Sequence, residues 1–116
     1  MLKVVAPIRL NRECSMKTSI ASVVADLPDV WRSRVLGTVG NANIKVLKMG
    51  GEGLPTEAHD DFDELLLVLD GELPLVVDER HFTLKAGEFF FVPKGAKHSV
   101  PEGSFGVLVV VDVGRQ

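Results

Sequence analysis

Glu57, His59 and Glu64 place two carboxylates and an imidazole in one short stretch of the chain. Residues two apart on a strand share a face, so Glu57 and His59 can point into one cavity. Asp60-Asp61-Phe62-Asp63 reads as a tight reversal, after which Glu64 opens the next strand beside the first two. A second imidazole, His98, follows Pro93-Lys94-Gly95 at the start of another strand. Only the fold can bring it to the others. Imidazoles and carboxylates together suit divalent transition metals. Buried carboxylates without partners are costly, so a cavity holding two should take a cation or keep a proton. The chemistry open to such a set is metal-assisted: polarising a carbonyl or enolate oxygen, or binding O₂. Without a metal, the same groups would form a polar pocket for an organic ligand, or serve packing alone.

The elements that must position these residues are mostly strands. Arg34–Val39 and Ile44–Met49 flank a Gly40-Asn41-Ala42-Asn43 turn and predict a hairpin. Glu64–Leu69 is a strand, Asp70-Gly71 a turn, and Leu73–Val77 pairs with His81–Lys85 across the Asp78-Glu79-Arg80 turn. Phe89–Val92 is a short strand stopped by Pro93, and Phe105–Val113 is a long last strand. Short strands with frequent turn signals predict an all-β antiparallel sandwich or barrel. The lining should come from Leu66, Val68, Leu73, Leu75, Phe82, Leu84 and Val92. Before the strands, residues 1–10 read as an extended arm broken by Pro7. Ile20, Val23, Val24 and Leu27 have the spacing of a short amphipathic helix ending near Pro28. The expected division is therefore an N-terminal arm and helix over 1–33 and a barrel over 34–116.

Composition narrows the function classes. The 116 residues are 46% hydrophobic and 25% charged, as in an ordinary globular domain. That length gives one modest core. The longest apolar runs, Leu65–Leu69 and Val107–Val111, are far too short to span a bilayer, so no membrane is expected. The formal net charge of −3 divides unevenly, +5 over residues 1–50 and −8 over 51–116. No basic stripe marks a nucleic-acid partner. A single cysteine, Cys14, excludes an internal disulfide framework and, with no secretory pattern at the start, gives a cytoplasmic expectation. Cys14 has no matching histidine and reads as an inert thiol. Leu65–Leu69 and Val107–Val111 do not alternate in polarity, as in strands covered on both faces. A barrel covers only the inner face, so a homodimer is expected to cover the outer one. His81 fits no constellation. Trp31 reads as packing, with the barrel mouth or a dimer contact as alternatives. Phe89–Phe91 alternate faces, and Phe62 is placed to close one side of the site.

The spacing of the candidate residues resembles a known family. Gly51-x5-Glu57-x-His59-x4-Glu64-x6-Gly71 is similar to the first cupin motif, with Glu57 where that motif has its first histidine. Gly87-x5-Pro93-x-Gly95-x2-His98 is similar to the second, with Glu102 in place of its final asparagine. A register with His59 as the first ligand and Asp61 as the second leaves too few residues before Glu64. The resemblance implies a cupin double-stranded β-helix, a jelly-roll barrel of the RmlC-like kind, with one divalent metal ion in its mouth. It further implies His59, Glu64 and His98 as ligands, with Glu57 in the remaining position. Two imidazoles and two carboxylates would neutralise a divalent ion, and hard oxygen ligands favour Fe(II) or Mn(II), with Zn(II) or Ni(II) also compatible. If Glu57 swings away, two histidines and one carboxylate remain, the ligand set of non-haem Fe(II) oxygenases. Whichever of Glu57 and Glu64 is not tightly ligated would act as the catalytic base. The expected activity is that of an oxygenase, isomerase or lyase on a small organic molecule. A sensor or storage protein that binds such a ligand without turnover, or an auxiliary subunit, is the alternative.

Overall fold

The computed structural model describes residues 3–5 and 17–113. Within them the chain forms β1 (Lys3–Val5), α1 (Ile20–Ala25), β2 (Arg32–Val39), β3 (Ala42–Met49), β4 (Leu54–Glu57), β5 (Glu64–Val77), β6 (Arg80–Lys85), β7 (Phe89–Val92), β8 (His98–Val100) and β9 (Phe105–Val113). Cys14 and Pro7 lie outside the described residues. The strands make one curled sheet in the order β1-β2-β3-β9-β5-β8-β4, with β6 and β7 also on β5. Apart from the parallel β1–β2 pair the ladders are antiparallel, giving the expected all-β jelly roll. No helix among the described residues is long and apolar enough to cross a membrane.

β5 organises the sheet. It runs 14 residues, alternates buried and half-buried positions over Glu64–Val68, and resumes that alternation from Leu73 to Val77. It pairs with β9 over most of its length, with β7 near Glu64, and with β6 and β8 beyond Gly71. The turn expected at Asp70-Gly71 is instead a bulge at Leu69 within this one strand. The strand continues because β9 keeps pairing across the irregularity. Gly71 (φ 81) stands opposite Gly106 (φ 100), and the two backbones approach so closely that a Cβ on either would collide with a carbonyl oxygen opposite, Phe105 O or Asp70 O. Only glycine supplies both that conformation and that clearance. The β2–β3 turn is also tighter than expected: the strands close to Val39 and Ala42, leaving Gly40-Asn41 between them.

The inner face carries the main core. Leu66, Val68, Leu73, Leu75, Leu84 and Val92 are buried there, with Phe82 partly buried against Phe90 at 4.7 Å. Trp31 joins this core beside Leu47 and Met49, and its backbone N–H donates to Lys48 O. It is a packing residue at the end of β3 away from His59 and Glu64.

A second cluster lies on the outer face. α1 lays Val23, Ile20 and Val24 over Val46, Val109, Leu67, Val107 and Val111. The helix starts at Ser19, whose hydroxyl accepts from Ser22 N–H, and stops before Pro28, which disfavours helical geometry in the residue preceding it. The apolar character of β9 on both faces thus has an intrachain cause over part of its length. Phe89 and Phe91 remain exposed, edge to face at 5.6 Å.

Candidate metal centre

Two of the site residues are held by strands and one by a loop. Glu64 opens β5 and is 3% exposed. Its Cα partners are Val92 on one side and Asp112 on the other, so its backbone is fixed from both flanks. His98 opens β8, is 1% exposed, and pairs with Glu57 on β4 and Val77 on β5. β4 ends at Glu57, so His59 lies on the connecting loop and not on a strand. Two hydrogen bonds tie that loop to the turn before His98: Gly95 N–H donates to His59 O (2.6 Å) and Lys94 N–H to Asp63 Oδ1 (2.9 Å). The Pro93-Lys94-Gly95 turn therefore aligns both histidines at once.

His59, Glu64 and His98 each offer a ligand atom, and these atoms all lie within 4.8 Å of one another. His98 Nε2 is 3.7 Å from Glu64 Oε1, and His59 Nε2 is 4.0 Å from Glu64 Oε2. These separations are too long for hydrogen bonds. His59 Nε2, His98 Nε2 and Glu64 Oε1 are buried with no hydrogen-bond partner. Three convergent polar atoms without partners are costly unless something between them accepts their lone pairs.

The tautomers agree with that requirement. His98 Nδ1 lies 3.2 Å from Ala96 O, a group that can only accept, so Nδ1 carries the proton and Nε2 presents a lone pair. Burial holds the His59 imidazole below its ordinary pKa, with the neighbouring His98 acting in the same direction, which favours the neutral form of His59. Burial, then the charge of Asp112, pushes the Glu64 carboxyl up to about 7, while Lys45 acts the other way. Two imidazole nitrogens and a buried carboxylate that converge on one point are a donor set that fits a divalent cation.

Glu57 is not among the three convergent residues. It is half-buried, and its charge acts on both His59 and Glu64. Asp60, Asp61 and Asp63 are exposed acids of the ligand loop, whereas Asp70 sits at the bulge, six residues along β5 from Glu64. His81 is exposed on β6. Phe62 stacks on His59 with ring centroids 4.6 Å apart and planes inclined by 21°. It steadies the one ligand that no strand holds. Phe62→Ala should weaken metal binding about tenfold in a Co(II) titration, because the ring that orients His59 is gone. Unchanged affinity would show that the backbone bonds of the loop suffice.

Sequence reasoning missed Asp112, one strand away from Glu64 on β9, and Lys45, two strands away on β3.

The fold and site together define a jelly-roll protein with a two-histidine, one-carboxylate cluster. The chain belongs to the cupin domain family, whose model matches residues 44–114. A cupin-2 domain containing protein from Shewanella frigidimarina NCIMB 400 has the same fold, with a TM-score of 0.74 and 21% identity over 86% of this chain and 96% of that one. A segment of 56 residues, 47% of this chain, is 41% identical to quercetin 2,3-dioxygenase of Bacillus subtilis. Another of 44 residues, 36% of the chain, is 41% identical to acetate kinase EutQ of Clostridioides difficile. The matches span 17% of the dioxygenase and 28% of the kinase.

Proposed function

We propose that this protein is a metal-dependent cupin that holds one divalent ion, Fe(II) or Mn(II) by preference, on His59, Glu64 and His98, and acts on a small organic molecule. The observation that carries this reading is the convergence of three buried, partnerless ligand atoms on one point. Among oxygenase, isomerase and lyase chemistry, the partial likeness to a quercetin 2,3-dioxygenase favours the oxygenase. When bound, the ion would supply Lewis acidity and a redox couple. The chain's own residues do the rest. His98 and Glu64 are fixed by the sheet, His59 is steadied by Phe62, and Glu57, outside the ligand group, is assigned the role of base toward a bound substrate.

The test is metal analysis of protein produced in iron- and manganese-replete medium and purified without chelator. We expect about one ion per chain in the wild type and under about a tenth of that in His98→Ala. Sub-stoichiometric metal in the wild type under those conditions removes the reading. Ligand-induced stabilisation without product would place the protein among binding cupins instead.

A further inference from the structure

A buried charge pair adjoins the ligands. Lys45 on β3 and Asp112 on β9 form an ion pair of 2.6 Å, with side chains 4% and 6% exposed. Asp112 is the Cα partner of Glu64 on one side and of Asn43 on the other. In an antiparallel ladder such partners share a face, so the Asp112 and Glu64 carboxylates enter the interior side by side. Lys45 is one row deeper, opposite Val110. After burial itself, Asp112 is the largest influence on Glu64, and its charge also reaches His59. A carboxylate in that position is an obvious further ligand. Yet it does not belong to the convergent group, and both its oxygens are engaged by β3: Oδ1 accepts from Asn43 Nδ2 at 3.4 Å, and Oδ2 accepts from Lys45 Nζ.

We propose that Lys45, assisted by Asn43, holds Asp112 as a non-coordinating carboxylate beside the metal centre, so that the ion keeps positions open for substrate. Lys45 and Asp112 are positioning residues. A buried ion pair is otherwise weak as a source of stability, and a pair of hydrophobic residues would fill the same space. The pair has a further electrical effect. Asp112 attracts a cation to the site and Lys45 opposes it, so their removal changes metal affinity in opposite directions. This inference rests on the reading of His59, Glu64 and His98 as metal ligands.

The experiment titrates the full metal-free chain with Co(II) at about pH 8, following the visible bands, where Glu64 is mostly ionised. Lys45→Gln keeps a hydrogen-bond donor but removes the charge that restrains Asp112, and should tighten binding by about tenfold or more. Asp112→Asn removes the carboxylate that attracts the ion while the Lys45 charge stays in place, and should weaken binding by about tenfold or more. The double variant should return to within about threefold of wild type, because the two charges are removed together. Single variants that shift affinity in the same direction, or by less than about threefold, overturn the proposal. A crystal structure of the Co(II)-loaded wild type provides an arm independent of how the variants fold. Asp112 should remain on Lys45, and Asp112 bound to cobalt overturns the proposal. A wild type that binds no Co(II) removes the metal reading and this inference with it. Binding without the opposed shifts removes this inference alone.

Discussion

Glu64→Gln is expected to strip the protein of stoichiometric metal and, at the same time, to stabilise the metal-free fold at pH 8 by about 3 kcal/mol. The two effects have one cause. The Glu64 carboxyl is raised from 4.5 to about 7 by burial and by Asp112, so the native state holds a proton that the unfolded chain has released. Stability of the metal-free protein is therefore greatest below about pH 4.5 as far as this group is concerned, and falls as pH rises through the interval to about 7. Above that interval the cost of ionising the buried carboxyl is fully present. Glutamine keeps the shape without the charge and should abolish this slope, raising the metal-free melting temperature by about 10 °C at pH 8 and leaving it nearly unchanged at pH 4.5. A divalent ion bound on His59, Glu64 and His98 would offset the same cost in the wild type. At a hundredfold excess over Kd it adds about 2.7 kcal/mol, and below pH 7 its binding should release a proton. Thermal melts with and without chelator across this pH range test the whole set. A metal-free wild type whose stability does not decline between pH 4.5 and 7 contradicts it.

The second large effect lies far from the metal. Gly71→Ala or Gly106→Ala should cost more than about 4 kcal/mol and yield little soluble folded protein. Each methyl would be driven into a backbone carbonyl that cannot step aside, at a backbone conformation already unfavourable for alanine. By contrast, Gly87→Ala meets open space at a similar φ of 88 and should cost only about 1–2 kcal/mol. Denaturant unfolding of the three variants separates the two cases. Equal losses would show that conformation alone matters at the β5–β9 crossing.

His59 and Glu64 were legible from local spacing, whereas His98 was tied to them only through the resemblance to the second cupin motif, and Glu57, grouped with them by the same spacing, is not in the convergent set. The lining residues Leu66, Val68, Leu73 and Leu75 were equally readable, as apolar positions two apart within short strands bounded by turn signals. Three features were not. Asp70-Gly71 carries turn chemistry, yet the chain stays extended, because β9 supplies a partner that a single strand cannot reveal. The outer apolar faces of β5 and β9 called for a cover, and part of it is α1 from the same chain. Asp112 was read with an apolar run, since its significance comes from lying opposite Glu64 and beside Lys45 across three strands. In each case the missing information is long-range pairing, which no local pattern encodes.

The unequal support of the three ligands governs how long an ion would stay. The backbones of Glu64 and His98 are held by strand pairing on both sides, whereas among the described residues the His59 loop is tied by two hydrogen bonds and one stacked ring. For an ion held there, residence time would be a property of residues 58–63, and exchange would begin with that loop while the sheet stays paired.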